Sequence, residues 1–238
     1  MEPTVFRDRL GERGISLSDQ QLAQYEQYHS LLVEWNEKIN LTAITEKKEV
    51  YEKHFFDSIS ASFFFDFTKA QTLLDIGAGA CFPSLPIKII FPHLHVTILD
   101  SLNKRITFLE HLSKELKLDH VSCIHGRAEE FGGDPKYRDR FDVVTARAVA
   151  RLNVLAEYCM PFAKVGGTFV VLKGSDASNE LDEAKIAIKT LGGKTEKLET
   201  FSLPVEQAER SIIIINKLAA TPKGYPRKAG TPAKKPIV

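Results

Sequence analysis

The sequence predicts a Rossmann-like α/β fold, with a mostly parallel sheet of seven strands and a helical cap at the N-terminus. Strand-like and helical segments alternate from Leu73 onward, which favours a parallel sheet flanked by helices. The first strand runs into a glycine-rich turn, Gly77-Ala78-Gly79, and then into a helix. Glycine lets backbone approach a ligand closely and permits positive φ at a tight turn. Doubly wound domains build a nucleotide crevice from this combination.

Three segments are expected to form one structural unit, because 238 residues are enough to bury a single full core. Residues 1–70 are expected to be the helical cap and residues 71–220 the sheet domain. Residues 221–238 form a basic, proline-rich tail.

The individual elements follow from hydrophobic spacing, capping residues and turn residues. In the cap, a capping box at Ser18 begins a helix that ends near Asn40, and a second helix runs from Glu46 to Phe65. The expected strands are Leu73–Ile76, His95–Leu99, Val121–His125, Phe141–Thr145, Thr168–Leu172, Glu196–Leu203 and Ser211–Leu218. The expected helices between them are Pro86–Phe91, Asn103–Lys117, Leu152–Ala163 and Asn179–Leu191. The last two strands are close enough in sequence to form an antiparallel hairpin.

Composition excludes several classes of protein. A hydrophobic content of 43% and a charged content of 26% are typical of an ordinary globular domain. The first residues lack the features of a signal peptide, and no apolar run is long enough to cross a membrane. Three cysteines lie far apart without a Cys-x-x-Cys, which disfavours disulfides and a zinc site. We therefore expect a cytoplasmic protein without a bound metal and, since no coiled coil is evident, a monomer.

The glycine loop indicates which nucleotide the crevice holds. A dinucleotide fingerprint needs a third small residue for close helix–strand packing, and that position is Phe82 here. S-adenosylmethionine has no pyrophosphate to place on a helix N-terminus, so its loop tolerates more variation. Seven strands that end in a hairpin also fit a class I S-adenosylmethionine-dependent methyltransferase better than a dehydrogenase.

Two further stretches lie where a nucleotide would be held. Asp100 ends the second strand, roughly 20 residues beyond the loop, where an acid accepts hydrogen bonds from ribose hydroxyls. The alternative is that Asp100 caps the helix that begins at Asn103. Residues Gly126 to Glu130 follow the third strand, at the place of an adenine clamp, although alone they resemble a solvated turn.

Several blocks distributed over nearly the whole chain carry a family resemblance. The blocks are Trp35–Thr42, His54–Ser58, Asp75–Pro86, Asp142–Ala148 and Tyr225–Lys234. Together they resemble the small-subunit ribosomal RNA guanine-N7 methyltransferases, once called glucose-inhibited division protein B. The resemblance implies S-adenosylmethionine as methyl donor, S-adenosylhomocysteine as product, and 16S rRNA or the small ribosomal subunit as partner. The implied acceptor is N7 of one guanine in the decoding-region loop.

The resemblance also implies roles for individual residues. Gly77 and Phe82 lie along the cofactor, Asp100 holds its ribose, and Arg147 faces the reacting end. Together with the glycine pattern, the implied cofactor-binding residues are Gly77, Gly79, Phe82, Asp100, Ala128, Glu129 and Arg147. Relatives usually carry glycine where this chain has Cys81, so a positive φ there would strain the loop and lower cofactor affinity.

The chemistry of this acceptor predicts which side chains to expect. Guanine N7 has an in-plane lone pair and no proton, so the enzyme must supply approach and alignment rather than a general base. N7 and O6 are both acceptors, and an arginine fork is their natural reader. We expect Arg147 to be catalytic, whereas Arg151 either reads the base or forms a surface ion pair. His54 and Asp57 are expected to be a hydrogen-bonded, packed pair rather than catalysts.

The tail concentrates positive charge. It carries five lysines and arginines and no acid, so residues 1–220 carry a net charge of −4 within a total of +1. Four prolines are expected to keep it extended, for contact with RNA phosphates or as a lid over the site. The alternative is a solubilising disordered end.

Other functions remain open from the residues alone. Within enzymes, the runner-up is a methyltransferase of the same fold with another RNA, a protein or a small molecule as acceptor. Among proteins that are not enzymes, the alternative is an RNA-binding assembly factor that holds the cofactor without turnover. An oxidoreductase comes last because of Phe82.

Overall fold

The computed structural model describes residues 1–238 and places seven strands in one sheet, in the order β3-β2-β1-β4-β5-β7-β6. The strands are β1 (Thr72–Ile76), β2 (His95–Asp100), β3 (Val121–His125), β4 (Phe141–Arg147), β5 (Ala163–Lys173), β6 (Gly193–Ser202) and β7 (Glu209–Lys217). Strands β1 to β5 pair in parallel, and β7 is antiparallel to both β5 and β6. The expected sheet with its closing hairpin is confirmed.

Helices pack on both faces of the sheet, and further helices lie near both termini of the chain. The α-helices are α1 (Pro3–Gly11), α2 (Asp19–Ile39), α3 (Lys47–Glu49), α4 (Asp57–Ile59), α5 (Ser84–Ile90), α6 (Asn103–Glu115), α7 (Ala128–Phe131), α8 (Leu152–Cys159), α9 (Ala177–Thr190) and α10 (Thr231–Lys234). A π-helix occupies Val50–Phe56, and 3₁₀-helices occupy Ser60–Phe63 and Phe67–Lys69. No helix combines the length and the apolar character needed to cross a bilayer.

Two hydrophobic clusters fill the two faces of the sheet, and alternating residues of each strand divide between them. Leu73 and Val143 belong to the cluster that includes the N-terminal helices, whereas their neighbours Leu74 and Val144 belong to the cluster under α8 and α9. This two-residue period is that of a strand buried on both faces. The sheet therefore lies between the two layers of helices and packs against both.

Some boundaries differ from those expected. The helix from Leu152 ends at Cys159 rather than Ala163, because Pro161 follows and cannot continue a helical hydrogen-bond ladder. Strand β5 then begins at Ala163, which pairs with Phe141. Helix α1 was not expected; a proline in its first turn begins it, and Phe6 and Leu10 are buried on one face.

The second cap helix also changes type along its length. It is helical from Lys47 to Phe63, but the middle is the π-helix rather than α-helix, and the last turn is 3₁₀. A π-helical stretch is rare and often lies at a functional site. Here it brings His54 beneath the carboxyl edge of the sheet, where its ring stacks on Phe82.

The cap holds the glycine loop through two buried tyrosines of α2. The Tyr28 hydroxyl donates to the carbonyl of Ala80 at 2.7 Å, and the Tyr25 hydroxyl donates to that of Pro86 at 2.7 Å. Both rings also contact Phe55 in the π-helix. The helical cap thus holds the loop that the sequence predicts to bind a nucleotide.

The expectation of an extended tail is wrong. The tail folds back over α7 and α8, and its short helix α10 buries Pro232. Arg227 binds the buried carboxylate of Glu157 through both oxygens, with Nη2 to Oε2 at 2.6 Å and Nε to Oε1 at 2.9 Å. Arg138 donates to tail carbonyls, including that of Thr221. Prolines stiffen this segment, and the contacts with Glu157 and Arg138 hold it in this position.

Candidate functional site

The order of the strands opens a crevice at the carboxyl edge of the sheet. Strand β1 lies between β2 and β4, so the connections that leave β1 and β4 diverge to opposite sides. A cleft of about 280 Å³ opens there, which we call the β1–β3 cleft. Its lining residues are Ile76, Gly77, Leu99, Ser101, Gly126, Arg127, Ala128, Glu129, Val149 and Tyr158.

Gly77 lies at the floor of this cleft in a conformation that only glycine adopts easily. Its φ is +68°, and a Cβ added there would lie 2.9 Å from Cγ2 of Val149. Gly79 also has a positive φ, +59°. Cys81 follows at φ +72° and is fully buried, so the expected left-handed conformation at this position is present on a residue with a side chain. Such a conformation costs roughly 1–2 kcal/mol in a non-glycine residue.

Asp100 ties the glycine loop to the end of β2. Its buried carboxylate accepts from the Gly79 amide through Oδ2 at 3.2 Å and from the Leu102 amide through Oδ1 at 2.9 Å. Arg105 pairs with Oδ2 at 3.4 Å. The carboxylate therefore caps the start of α6, which is the alternative that the sequence left open for Asp100. It also contacts the glycine loop.

Asp75, at the end of β1, has one oxygen that nothing satisfies. Oδ2 accepts from the amide and hydroxyl of Ser84, whereas Oδ1 is buried without a partner. Burial raises the pKa of this carboxyl to about 6. A buried acceptor without a donor is costly, and it marks a place where a ligand that carries a donor or a positive charge would be stabilised.

The two residues that the sequence predicts to hold the adenine lie at the start of α7. Ala128 and Glu129 both line the cleft. The tail reaches this point, because the Gly230 amide donates to Oε1 of Glu129 at 2.9 Å. The segment that alone resembled a solvated turn is therefore a short helix that the tail covers.

A second cavity, of about 430 Å³, lies on the other side of the β4 end, and we call it the β4–β5 cavity. Its lining residues are Lys53, His54, Asp57, Arg147, Ala148, Leu172, Lys173, Gly174, Glu180 and Arg210. Val149 lines the first cleft and Ala148 the second, so the two spaces meet at the loop after β4.

Arg147 is the last residue of β4 and is fixed by four neighbours. Nη1 donates to Oδ2 of Asp57 at 2.7 Å and to the carbonyl of Lys53 at 3.1 Å. Nη2 donates to Nδ1 of His54 at 3.2 Å, and the guanidinium carbon lies 5.0 Å from the centre of the Phe82 ring. The expected pairing of His54 with Asp57 is wrong in detail, since each binds Arg147 instead.

His54 is neutral in this arrangement. Burial, together with the Arg147 charge, lowers the pKa of its imidazole to about 3. Because Nδ1 accepts from Arg147, the ring proton lies on Nε2, which is 2.9 Å from the Thr42 hydroxyl. His54 thus orients the arginine without adding charge.

The structure brings together some of the expected site residues and separates others. Gly77, Ala128 and Glu129 line the β1–β3 cleft, Gly79 and Asp100 flank it, and Arg147 lines the β4–β5 cavity. Phe82 lies in the wall between His54 and Tyr28, only 5% exposed.

Arg151 lies apart from both cavities. It is exposed and pairs with Glu183 at 2.7 Å, which is the surface ion pair that the sequence left open. Sequence reasoning missed Lys173, Glu180 and Arg210. Lys173 ends β5 and Arg210 lies near the start of the antiparallel β7, so the hairpin topology carried the signal that both reach this edge.

Comparison with known proteins decides the family. The family described as GidB, rRNA small subunit methyltransferase G, matches residues 21–213. The ribosomal RNA small subunit methyltransferase G of Brevibacillus brevis is 60% identical over 238 residues, which are the whole of both chains. The protein of the same name from Bacillus subtilis is 60% identical over 232 residues, 98% of this chain and 97% of the relative. This chain belongs to that family.

Solved structures agree on the fold. M. jannaschii TYW2 in complex with AdoMet superposes with a TM-score of 0.54 at 14% identity, covering 69% of this chain and 76% of that chain. TrmN from Thermus thermophilus gives a TM-score of 0.52 at 14% identity, covering 71% and 53%. The chain is an S-adenosylmethionine-dependent methyltransferase of small-subunit ribosomal RNA, and the expected resemblance, fold class and enzyme class are confirmed.

The residues of the β1–β3 cleft fit that cofactor. A Cβ on Gly77 would lie 2.9 Å from Val149, so glycine at this position keeps the floor of the cleft open. The unpartnered oxygen of Asp75 is buried behind this floor, two residues earlier in the chain, and favours positive charge nearby. Apolar side chains of Ile76, Leu99 and Val149 supply the flat surface that a purine ring needs.

Proposed function

We propose that this enzyme methylates N7 of one guanine in the decoding-region loop of 16S rRNA, with the donor in the β1–β3 cleft and the guanine in the β4–β5 cavity. The observation that carries the proposal is the position of Arg147, which a buried carboxylate and a neutral imidazole hold where the two spaces meet. S-adenosylmethionine supplies a methyl group that a sulfonium already activates.

On the donor side, the chain binds and orients. We propose that Gly77 and Gly79 let the backbone approach the cofactor, that Asp100 accepts from ribose hydroxyls, and that Ala128 and Glu129 hold the adenine. Phe82 acts from behind the loop, since it packs against Tyr28 and His54 with little exposed surface.

On the acceptor side, Arg147 binds the guanine edge. N7 must keep its lone pair free for the transfer, so the arginine contacts O6 and leaves N7 uncovered. Nε and one Nη2 proton remain for this contact, because the protein contacts of Arg147 use Nη1 and a single Nη2 donor. Holding the base in a fixed plane converts a two-body encounter into an aligned one, which accounts for several powers of ten in rate.

No proton transfer is needed on the chain. N7 of guanine carries no proton, and His54 stays neutral at pH 7 because its pKa is lowered to about 3. The site therefore acts by bringing the methyl donor and guanine N7 together in line, and Arg147 holds the base in place.

We further propose that the enzyme acts as a cytoplasmic monomer and that residues 1–70, 71–220 and 221–238 work as one unit. One hydrophobic cluster includes side chains from Met1 to Ile214, which supports a single unit. Sedimentation of the purified chain tests the monomer, and a dimer at micromolar concentration would contradict it.

The test of the function is methyl transfer with identification of the product base. Labelled S-adenosylmethionine is incubated with the enzyme and small-subunit rRNA from cells that lack its gene, and the labelled base is mapped by nuclease digestion. We expect label in a single 7-methylguanine of the decoding region. Label at another atom or in another RNA would overturn the assignment, and cofactor binding without transfer would favour an assembly factor.

A further inference from the structure

A second arginine reaches the acceptor side from a strand that runs against the others. Arg210 is the second residue of β7, and Ser211 next to it pairs with Lys173 at the end of β5. Because β7 is antiparallel to β5, its beginning lies at the same edge as the carboxyl ends of the parallel strands. Arg210 therefore reaches the lining of the β4–β5 cavity.

Arg210 and Arg147 share a single carboxylate. Nε of Arg210 lies 3.2 Å from Oδ1 of Asp57, while Oδ2 of the same residue accepts from Arg147 at 2.7 Å. The Asp57 side chain is only 8% exposed, and its two oxygens are thereby both used. One negative charge between two guanidinium groups leaves the pair with an excess of one positive charge.

The wider lining of the cavity keeps this excess. Four cationic side chains line it, Lys53, Arg147, Lys173 and Arg210, against two carboxylates, Asp57 and Glu180. Lys53 pairs with Glu49 at 2.8 Å and with Glu206 at 3.1 Å, so the surplus is that of the two arginines. Glu180 pairs with Lys173 at 2.7 Å and also accepts from the Leu152 amide, so it does not neutralise the arginines. A cavity with surplus positive charge favours an anion.

The two arginines differ in depth and in unused donors. The Arg147 side chain is 13% exposed and that of Arg210 is 24% exposed, which places Arg210 nearer the mouth. Nη1 of Arg210 donates to the carbonyl of Glu209 at 3.0 Å, whereas Nη2 makes no hydrogen bond to protein. A planar guanidinium with a free edge, already oriented by a carboxylate, matches the oxygens of a phosphate.

We propose that Arg210, oriented by Asp57, binds a backbone phosphate of the rRNA strand next to the target guanosine. This inference rests on the proposed function. A base that enters a protein pocket leaves its stack and turns about its own backbone, so its flanking phosphate stays at the mouth. Arg147 then holds the base at depth and Arg210 holds the strand, and Asp57 fixes the spacing between these two contacts.

The test measures RNA affinity as a function of salt for the full chain and three variants. The probe is protein-free 16S rRNA from cells lacking the gene, in filter binding between about 50 and 200 mM KCl. Arg210→Ala is expected to weaken binding about ten-fold at the middle of this range. It is also expected to lower the slope of log K against log salt by about 0.7 to 0.9, the loss of one phosphate contact. Cofactor affinity, measured by calorimetry, is expected to stay within about two-fold, which also shows that the variant is folded.

Two matched variants complete the design. Arg210→Lys keeps the charge, so the salt slope is expected to return while the affinity is only partly restored, because an ammonium lacks the planar fork. Arg151→Ala removes an exposed arginine that pairs with Glu183 outside the cavity, and it is expected to leave both affinity and slope unchanged.

Three outcomes would overturn the inference. The first is an unchanged salt slope in Arg210→Ala, and the second is an equal loss of affinity in Arg151→Ala. The third is an affinity loss that disappears when the target guanosine is replaced by adenosine, because a phosphate contact acts on every sequence alike. The proposed function fails separately, if the unmodified enzyme transfers no methyl group to the same RNA.

Discussion

The β1–β3 cleft and the β4–β5 cavity lie on either side of one strand end, yet they are built in different ways. Backbone and small or apolar side chains form much of the cleft, including the segments that follow β1, β2 and β3. Charged side chains fill the cavity, and they come from the π-helix, α4, β4, β5, α9 and β7. The backbone of the turns after the strands shapes the β1–β3 cleft, whereas a network of ion pairs lines the β4–β5 cavity.

The occupants that we propose for the two spaces account for this difference. A cofactor that is the same in every turnover is bound by a preformed backbone surface, which loses little entropy on binding. A nucleotide that is part of a large RNA arrives with a charged backbone, so its cavity needs oriented cations. We therefore expect substitutions in the cleft to act on cofactor affinity, and substitutions in the cavity to act on RNA affinity and rate.

The largest expected effect is that of Arg147→Ala. It removes the proposed contact with the base and leaves the buried Asp57 with one partner fewer. We expect kcat/KM for methyl transfer to fall on the order of 100-fold, the cost of a charge-assisted hydrogen bond in a buried site. Cofactor affinity by calorimetry is expected to change less than about three-fold. Equal losses in both measurements would place Arg147 on the cofactor alone and remove the contrast between the two spaces.

Gly77→Ala is the corresponding change in the cleft. The new Cβ would lie 2.9 Å from Val149 on a residue with φ +68°, so either the loop or the valine must move. We expect the cofactor dissociation constant to rise about 5- to 30-fold, equivalent to about 1–2 kcal/mol of strain, with RNA affinity unchanged. Gly11→Ala is the matched control, because nothing lies near its Cβ and its φ is not positive. Equal effects of the two changes would show that the loop at Gly77 is not a binding surface.

The tail offers a smaller test of how far the cleft extends. Arg227→Ala leaves the buried Glu157 without its cation, which is expected to undock residues 225–238 and release Glu129 from Gly230. Cofactor affinity is expected to fall about three- to ten-fold in calorimetry. The double change Lys234→Ala and Lys235→Ala removes the same kind of charge without the ion pair and is expected to leave cofactor affinity intact. If Arg227→Ala leaves cofactor affinity unchanged, or if the double change lowers it equally, the docked tail does not support the cleft.

The smallest effect concerns stability in acid. The pKa of His54 is lowered to about 3, so the unfolded chain binds a proton at this residue that the folded chain refuses. Stability from this residue is present above its ordinary pKa near 6.5 and is lost as pH falls toward 3. Between pH 7 and about 5.5 the loss is about 1 kcal/mol. Denaturant unfolding of the unmodified chain and of His54→Gln at both pH values checks this, and parallel pH slopes in the two proteins would contradict it.

Local sequence was enough to predict the cleft. The turn at Gly77 and Gly79 follows β1, Asp100 ends β2, and α7 begins shortly after β3. The carboxyl ends of parallel strands share one edge, so these segments meet there. Every contributor to the cleft lies within a few residues of a recognisable strand end or on the helix that follows β4. The folding of the tail was not predictable in this way, since its partner Glu157 is 70 residues away and looks like an ordinary helical acid.

The sequence by itself determined the succession of strands along the chain, the glycine loop at the end of β1 and the family of the enzyme, and it predicted Arg147 as the catalytic residue. Only the tertiary structure decided that Asp57 would bind both Arg147 and Arg210. Arg147 lies 90 positions after Asp57 in the chain, and Arg210 lies still further along. Glycine turns act through backbone geometry, which neighbouring residues dictate. Ion pairs depend on which side chains the folded sheet brings together, and their partners carry no mark in the sequence.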